Sequence, residues 1–213
     1  MAQPLNSGAL EALTKQWSTA EERIKHAGRV KLVLNHPAVK ELRDAGYHLI
    51  RAIQASETND ELEELNRSLR HATRASYDAV ESEIIWLLEQ IRDFQRSYRL
   101  VEIKIDGLDY QAIRRRAREA NKILQETALE KETRDQHYTR IFEYCVSLAD
   151  DLNRLDDASE ELTKKLRVTK WKIAVTVVTI VIAALSAGCA IYGHFKKLDS
   201  ISHPEMSTKA IKP

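Results

Sequence analysis

The feature that most constrains this chain is an uncharged, apolar run near its C-terminus. Residues 173–192 read IAVTVVTIVIAALSAGCAIY. As a helix, about 20 residues rise roughly 30 Å, which matches the hydrocarbon core of a bilayer. A buried core helix is the alternative, but globular helices rarely continue for this length without a charge. The run therefore predicts one membrane-spanning helix over residues 171–195, with the lipid bilayer as a partner.

Both ends of the run carry side chains typical of a membrane interface. Trp171 and Lys172 precede it, and Lys196 and Lys197 follow it. Aromatic and basic side chains are enriched at this level of a bilayer, because each has an apolar body and a polar end. These four residues are the predicted interface anchors.

Within the run, small residues recur at a spacing of four, as in Ala184 and Gly188. Small residues on one face let helix backbones approach closely in lipid, so the span is expected to associate with copies of itself. The residues taken to represent the span are Ile173, Val177, Ile180, Ala184, Leu185, Gly188 and Tyr192.

The orientation is inferred from the N-terminus. The first 20 residues contain no apolar segment of the signal-peptide type, so residues 1–170 are expected to stay in the cytoplasm. This predicts a single-pass protein of the cell (inner) membrane with a short polar tail, residues 196–213, on the far side. Lysines flank the run on both sides and do not decide the orientation.

The composition is typical of helices. The chain has six glycines and four prolines, and its 33 basic and 32 acidic residues are interspersed. This predicts an all-α protein with solvated helix faces, and makes nucleic acid an unlikely partner. The basic cluster RRRAR at 114–118 could contact phosphate or an anionic headgroup, although a solvated helix surface is the preferred interpretation. Cys145 and Cys189 are not expected to pair, and neither a metal site nor a cofactor is predicted.

Residues 1–105 are predicted to form a bundle of three helices. Asn6 or Ser7 can cap the first helix, and Pro37 suits the first turn of the second. The third helix begins after SETND at 56–60, and its apolar rhythm continues to about residue 104. The apolar stripe expected to pack the second helix consists of Val39, Leu42, Gly46, Leu49 and Ile53.

Residues 109–169 carry a heptad pattern that leads into the membrane span, which predicts a coiled-coil-like stalk or the second arm of a long helical hairpin. The seam of this stalk is represented by Ile141, Leu148, Leu152, Leu155, Leu162 and Leu166. Polar residues at Thr127, Lys131 and Arg134 interrupt the seam. A register device, a hinge and a helix break near KETRDQ all remain open from the sequence.

Four of the seven histidines are followed by an arginine one helical turn later, in HAGR, HLIR, HATR and HYTR. The second and third of these pairs are expected to approach one another, with Glu41 and Asp78 as possible carboxylate partners. An anion or RNA-phosphate site is one interpretation. A layer of polar side chains that bridges helices is the preferred one.

Two resemblances bear on function. RDAGYH at 43–48 resembles the R-[N/D]-x-x-x-H motif of HEPN-type ribonucleases, which implies Arg43 and His48 as a cleavage pair across a dimer. The match covers six residues on the second helix, whereas that family places the motif late in its bundle. The order of helices, heptads and span is similar to the layout of syntaxin-like SNARE proteins, but no glutamine marks the centre of the seam.

The sequence therefore predicts a C-terminally anchored, single-pass membrane protein without enzymatic activity. Its helical domain is expected to bind an unidentified cytosolic protein or to form a homo-oligomer, and to couple this to the membrane. The alternative is a bacterial toxin or phage-defence effector that oligomerises at the inner membrane or, less favoured, cuts RNA.

Overall fold

The computed structural model describes residues 6–126 and 133–202, with side chains described to residue 189. Its five helices are α1 (Ser7–Lys31), α2 (His36–Gln54), α3 (Thr58–Ser97), α4 (Tyr110–Gln125) and α5 (Arg134–Ser202). All regular structure in the described ranges is helical, which confirms the all-α prediction. The chain divides into a bundle unit, Met1–Glu160, and a C-terminal unit, Glu161–Pro213.

The starts of three helices follow from local sequence. The side chains of Asn6, Asn35 and Asp109 each accept a hydrogen bond from a backbone N–H in the first turn of α1, α2 and α4. Pro37 lies in the first turn of α2, where its missing N–H costs nothing. The turn before α4 contains Gly107 at φ +80°, a conformation that other residues rarely adopt.

Residues 109–169 do not form one helix. α4 ends at Gln125, and α5 begins at Arg134 behind a capping box. In this box, Thr133 N donates to Gln136 Oε1 (2.9 Å) and Gln136 N donates to Thr133 Oγ1 (3.3 Å). Of the three explanations left open for the polar interruption, the described helix ends agree with a break. Thr127 and Lys131 lie outside the described residues.

α3 runs through the centre of the bundle unit and packs on different partners along its length. Its first half packs with α1 and α2 around a cluster of small and medium residues. Its second half packs with α4 and with residues 134–160 of α5 around branched aliphatic residues. The first cluster comprises Leu13, Ala45, Ala52, Leu65 and Ala72. The second is formed by Val80, Ile84, Leu87, Leu88, Ile91, Ile113, Ala120, Ile123, Ile141, Cys145, Leu148 and Leu155.

α2 packs only in part through the stripe expected for it, since Leu49 packs against the first cluster. The buried residues are Ala38, Ala45 and Ala52, whereas Ile53 of the expected stripe is 62% exposed. Alanines at a spacing of seven let α2 lie close to α3, and Ser68 Oγ of α3 donates to the Ala45 carbonyl (2.8 Å). Larger side chains would hold the two backbones apart, so the packing face is rotated by one residue.

The seam residues in the first part of α5 are covered by their own chain. Ile141, Leu148 and Leu155 are buried in the second cluster, and Leu152 packs against it. In the C-terminal unit, Leu162 is buried and Leu166 is half-buried. The pattern read as a coiled-coil seam thus serves, up to Leu155, as the face that α5 presents to α3 and α4.

In the C-terminal unit, α5 continues to Ser202 and is long and apolar enough to cross a membrane. None of the residues in its most apolar window is buried. The helix therefore changes from one buried stripe to apolar side chains that are exposed all round.

Candidate functional site

The candidate membrane span is apolar on every side. Ile180 and Leu185 are 62% and 65% exposed, and Trp171 before the run is 70% exposed. The large apolar residues exposed between residues 173 and 185 are Ile173, Val175, Val177, Val178, Ile180, Val181, Ile182 and Leu185. A helix that is apolar all round is stable in lipid or in a protein core, and the described residues offer this stretch no core.

The few polar groups in this stretch are satisfied within the helix. The hydroxyl groups of Thr176, Thr179 and Ser186 each donate to the carbonyl four residues earlier, at 2.9 Å. A bilayer supplies no water to pair with such groups, so internal pairing is what a spanning helix requires.

The other residues predicted for the span and its anchors are only partly described. Ala184 and Lys172 are exposed, and no heavy atom lies within 4 Å of the position that a Cβ at Gly188 would take. The backbones of Tyr192, Lys196 and Lys197 belong to α5, but their side chains lie outside the described residues.

His48 and His71 come together between α2 and α3, as expected. Their rings are stacked with centroids 5.1 Å apart. His48 Nδ1 donates to Glu64 (2.6 Å) and His71 Nδ1 donates to Glu41 (2.7 Å). Glu41 is thus one of the two carboxylates expected here. Glu64 takes the place of Asp78, whose backbone carbonyl accepts from Asn35.

Two arginines also approach the carboxylate of Glu64. Arg67 Nη1 donates to it at 3.0 Å, and Arg51 Nη2 lies 3.8 Å from it. The hydrogen bond from His48 is the largest cause that lowers the pKa of Glu64, burial opposes it, and the two arginines lower it further. The carboxylate is therefore held ionised at the centre of a bridge between α2 and α3.

The two residues implied by the ribonuclease resemblance have separate partners. Arg43 donates to the adjacent Asp44 through Nε (3.1 Å) and Nη2 (2.8 Å), and its side chain is 72% exposed. His48 is largely covered and bonded to Glu64. Within one chain, neither side chain has a hydrogen bond to the other among the described residues.

Sequence reasoning missed a buried polar layer between α1, α3 and α5. His26 Nδ1 donates to the fully buried Glu83 (2.7 Å), and burial is the main cause that raises the pKa of Glu83. Arg23, also buried, donates to Ser76 Oγ (2.7 Å) and to Thr139 Oγ1 (3.1 Å). Three H-x-x-R histidines, 26, 48 and 71, thus pair with a glutamate on another helix, a regularity that their spacing to arginine does not reveal.

The arginines of the RRRAR cluster on α4 have different surroundings. Arg116 makes a bidentate pair with Asp151 of α5, with N···O distances of 2.7 and 2.5 Å. Arg114 lies over the ring of Tyr110 and lines cavities between α3 and α4, together with Arg118. Arg115 is exposed and lines neither cavity.

Within the described part of the chain, no group of three or more His, Cys, Asp or Glu side chains is placed to hold a metal ion. Comparisons with protein-family models, curated proteins and solved structures give no match.

Proposed function

We propose that this protein is a single-pass membrane protein, anchored by α5, whose helical bundle stands at the cytoplasmic surface and binds a partner or another copy of the chain. The observation that carries the proposal is the uncharged stretch of α5 from residue 173 to residue 189, in which every described side chain is exposed.

The energetics favour lipid over water for this stretch. Eight large aliphatic side chains there are between 44% and 65% exposed. Full burial of one such side chain stabilises by about 1.5–3 kcal/mol, so removing this surface from water is worth on the order of 10 kcal/mol. A stretch of this kind left in water would also be a strong association surface.

The bundle unit supports a role as a rigid binding module. α3 has a packed cluster on each half, and His–Glu pairs tie α1 and α2 to it. Signals would then pass to the membrane through α5, which belongs to both units, when copies of the chain associate. A second copy is the proposed partner for the open face around Gly188.

Membrane fractionation with matched variants tests the anchor. Ile180→Lys/Leu185→Lys puts two charges in the stretch, at a cost of about 6–8 kcal/mol for insertion. Ile50→Lys/Ile53→Lys makes the same change on α2, where the residues are 55% and 62% exposed. After an alkaline carbonate wash, the wild type and the α2 variant should stay in the pellet and the α5 variant should leave it. An α5 variant that stays in the pellet, or a wild type that leaves it, contradicts the proposal.

Orientation is tested by labelling Ile53→Cys in a Cys189→Ser background with a membrane-impermeant maleimide. The thiol should react in inside-out vesicles and stay unlabelled in right-side-out vesicles. The reverse result would place the bundle outside the cytoplasm.

A further inference from the structure

A basic groove lies between the C-terminal part of α3 and α4. Two adjoining cavities form it, of about 460 and 260 Å³. Gln95 and Arg114 line both cavities, so the two share a wall. The cationic side chains of the groove are Arg92, Arg99, Lys104, Arg114 and Arg118.

The charges of this groove are poorly compensated. Among the described residues, Glu102 is the only acidic one that lines the two cavities, and it pairs with Lys104 at 2.6 Å. Among the described residues, no carboxylate forms an ion pair with Arg92, Arg99, Arg114 or Arg118. Neighbouring arginines behave differently, because Arg96 pairs with Asp93 and Arg116 pairs with Asp151.

The geometry of these side chains suits a phosphate group. Arg114 and Arg118 are one turn apart on α4 and therefore project from the same face. A guanidinium presents a planar fork of N–H donors that matches two phosphate oxygens. The side-chain amides of Gln95 and Asn121 add neutral donors along the same groove.

The groove also has a defined place in the bundle unit. Tyr98, which lines the larger cavity, donates from its hydroxyl to the Ser159 carbonyl (3.2 Å). The groove therefore lies at the end of the bundle unit that is formed by the C-terminus of α3 and the region of α5 around Ser159.

We propose that this groove is a binding site for phosphate esters, either the headgroup of an anionic phospholipid or a soluble phosphorylated molecule. Arg114, which lines both cavities, and Arg118 hold the phosphate from α4. Arg92 of α3 adds positive charge to the smaller cavity, and Arg99, just after the end of α3, adds it to the larger one. The assignment rests on the groove and not on membrane insertion.

Binding to full-length protein in a neutral detergent tests the site by calorimetry. One arm titrates inorganic pyrophosphate, and the other titrates short-chain phosphatidylglycerol against phosphatidylcholine of the same chain length. Arg114→Gln/Arg118→Gln should weaken binding at least tenfold, because a charge-assisted hydrogen bond contributes about 1.5–3 kcal/mol. Arg115→Gln removes a neighbouring charge outside the groove and should change the affinity by less than twofold. Arg92→Gln/Arg99→Gln repeats the test on the opposite side of the groove, in α3 and just after it, in case the α4 variant does not fold.

The two arms separate the sources of the phosphate. Binding of phosphatidylglycerol alone identifies a lipid headgroup as the ligand, and binding of pyrophosphate alone identifies a soluble one. Either result supports the site if the groove variants lose that binding. Equal losses in Arg115→Gln and the groove variants, or no binding in either arm, overturn the proposal. Binding of an RNA oligonucleotide without either small ligand also overturns it, in favour of a nucleic-acid surface.

Discussion

Helix α5 contains two apolar stretches whose surroundings are opposite. Between residues 134 and 160, apolar residues recur about every 3.5 positions and are buried on α3 and α4, while charged residues occupy the remaining faces. Between residues 173 and 189 no charge occurs, and every side chain is exposed. Periodicity therefore distinguishes an apolar face that packs on other helices from an apolar stretch that is exposed all round and apolar enough to cross a membrane, even within one helix.

The largest difference is expected from matched leucine truncations. Leu148→Ala removes a fully buried side chain and should lower the free energy of unfolding of the bundle by about 3–4 kcal/mol, through lost burial and a cavity. Leu185→Ala, at 65% exposure, should change it by less than about 0.5 kcal/mol. Denaturant unfolding of the full chain in mild detergent, followed by circular dichroism, measures both. Similar losses for the two variants would remove the contrast between the stretches.

A smaller effect is expected from the polar pairs that accompany the buried face. Glu64→Gln should destabilise the bundle at pH 7 by about 1–2 kcal/mol, since it weakens the charge-assisted hydrogen bonds from His48 and Arg67. The hydrogen bond from His48 holds the pKa of Glu64 below its ordinary value of 4.5. Its contribution is therefore complete above pH 4.5 and is lost as the pH falls through the folded-state pKa.

The difference in stability between wild type and Glu64→Gln should accordingly shrink on acidification below pH 4.5. Glu63→Gln is the control, because Glu63 is also bonded to Arg67 but its side chain is 61% exposed, and it should have little effect at any pH. A difference between wild type and Glu64→Gln that stays constant down to pH 3 would show that the carboxylate charge does not stabilise this bridge.

Much of the fold was accessible from the sequence because its signals are local. Caps at Asn6 and Asp109, Pro37 in a first turn, and a long uncharged run each determine a helix start or a helix type without reference to distant residues. The run from residue 173 was predicted for this reason. The third helix was predicted from its apolar rhythm, and it begins at Thr58 and ends at Ser97 instead of near residue 104.

Packing faces and polar partners were less accessible. The sequence of α2 contains two possible packing faces, a stripe of large residues and the alanines 38, 45 and 52. The alanines are the buried face because α3 approaches α2 closely, which the sequence of α2 alone does not show. The glutamates that pair with His26 and His48 lie on another helix, so no spacing within one helix predicts them. The break before α5 does have a local signal, the box T-x-x-Q at 133–136, which the heptad pattern obscured.

The basic groove required the tertiary structure. RRRAR appears in the sequence as one cluster, but α4 turns Arg116 toward Asp151 and Arg114 toward Tyr110 and the α3 side. Arg92 and Arg99 line the same groove as Arg114 only because the C-terminal end of α3 packs beside α4.

The most direct test of a lipid environment compares two positions of equal exposure, Ile180 on α5 and Ile53 on α2, both 62% exposed. Each is replaced by cysteine in a Cys189→Ser background and treated with an impermeant maleimide in membrane vesicles opened by freeze–thaw. Cys145 should stay silent, because it is buried and burial raises the pKa of its thiol. If α5 lies in lipid, position 53 should be labelled rapidly and position 180 should stay unlabelled until SDS dissolves the membrane. Equal labelling at both positions in intact membrane would contradict a lipid environment for α5.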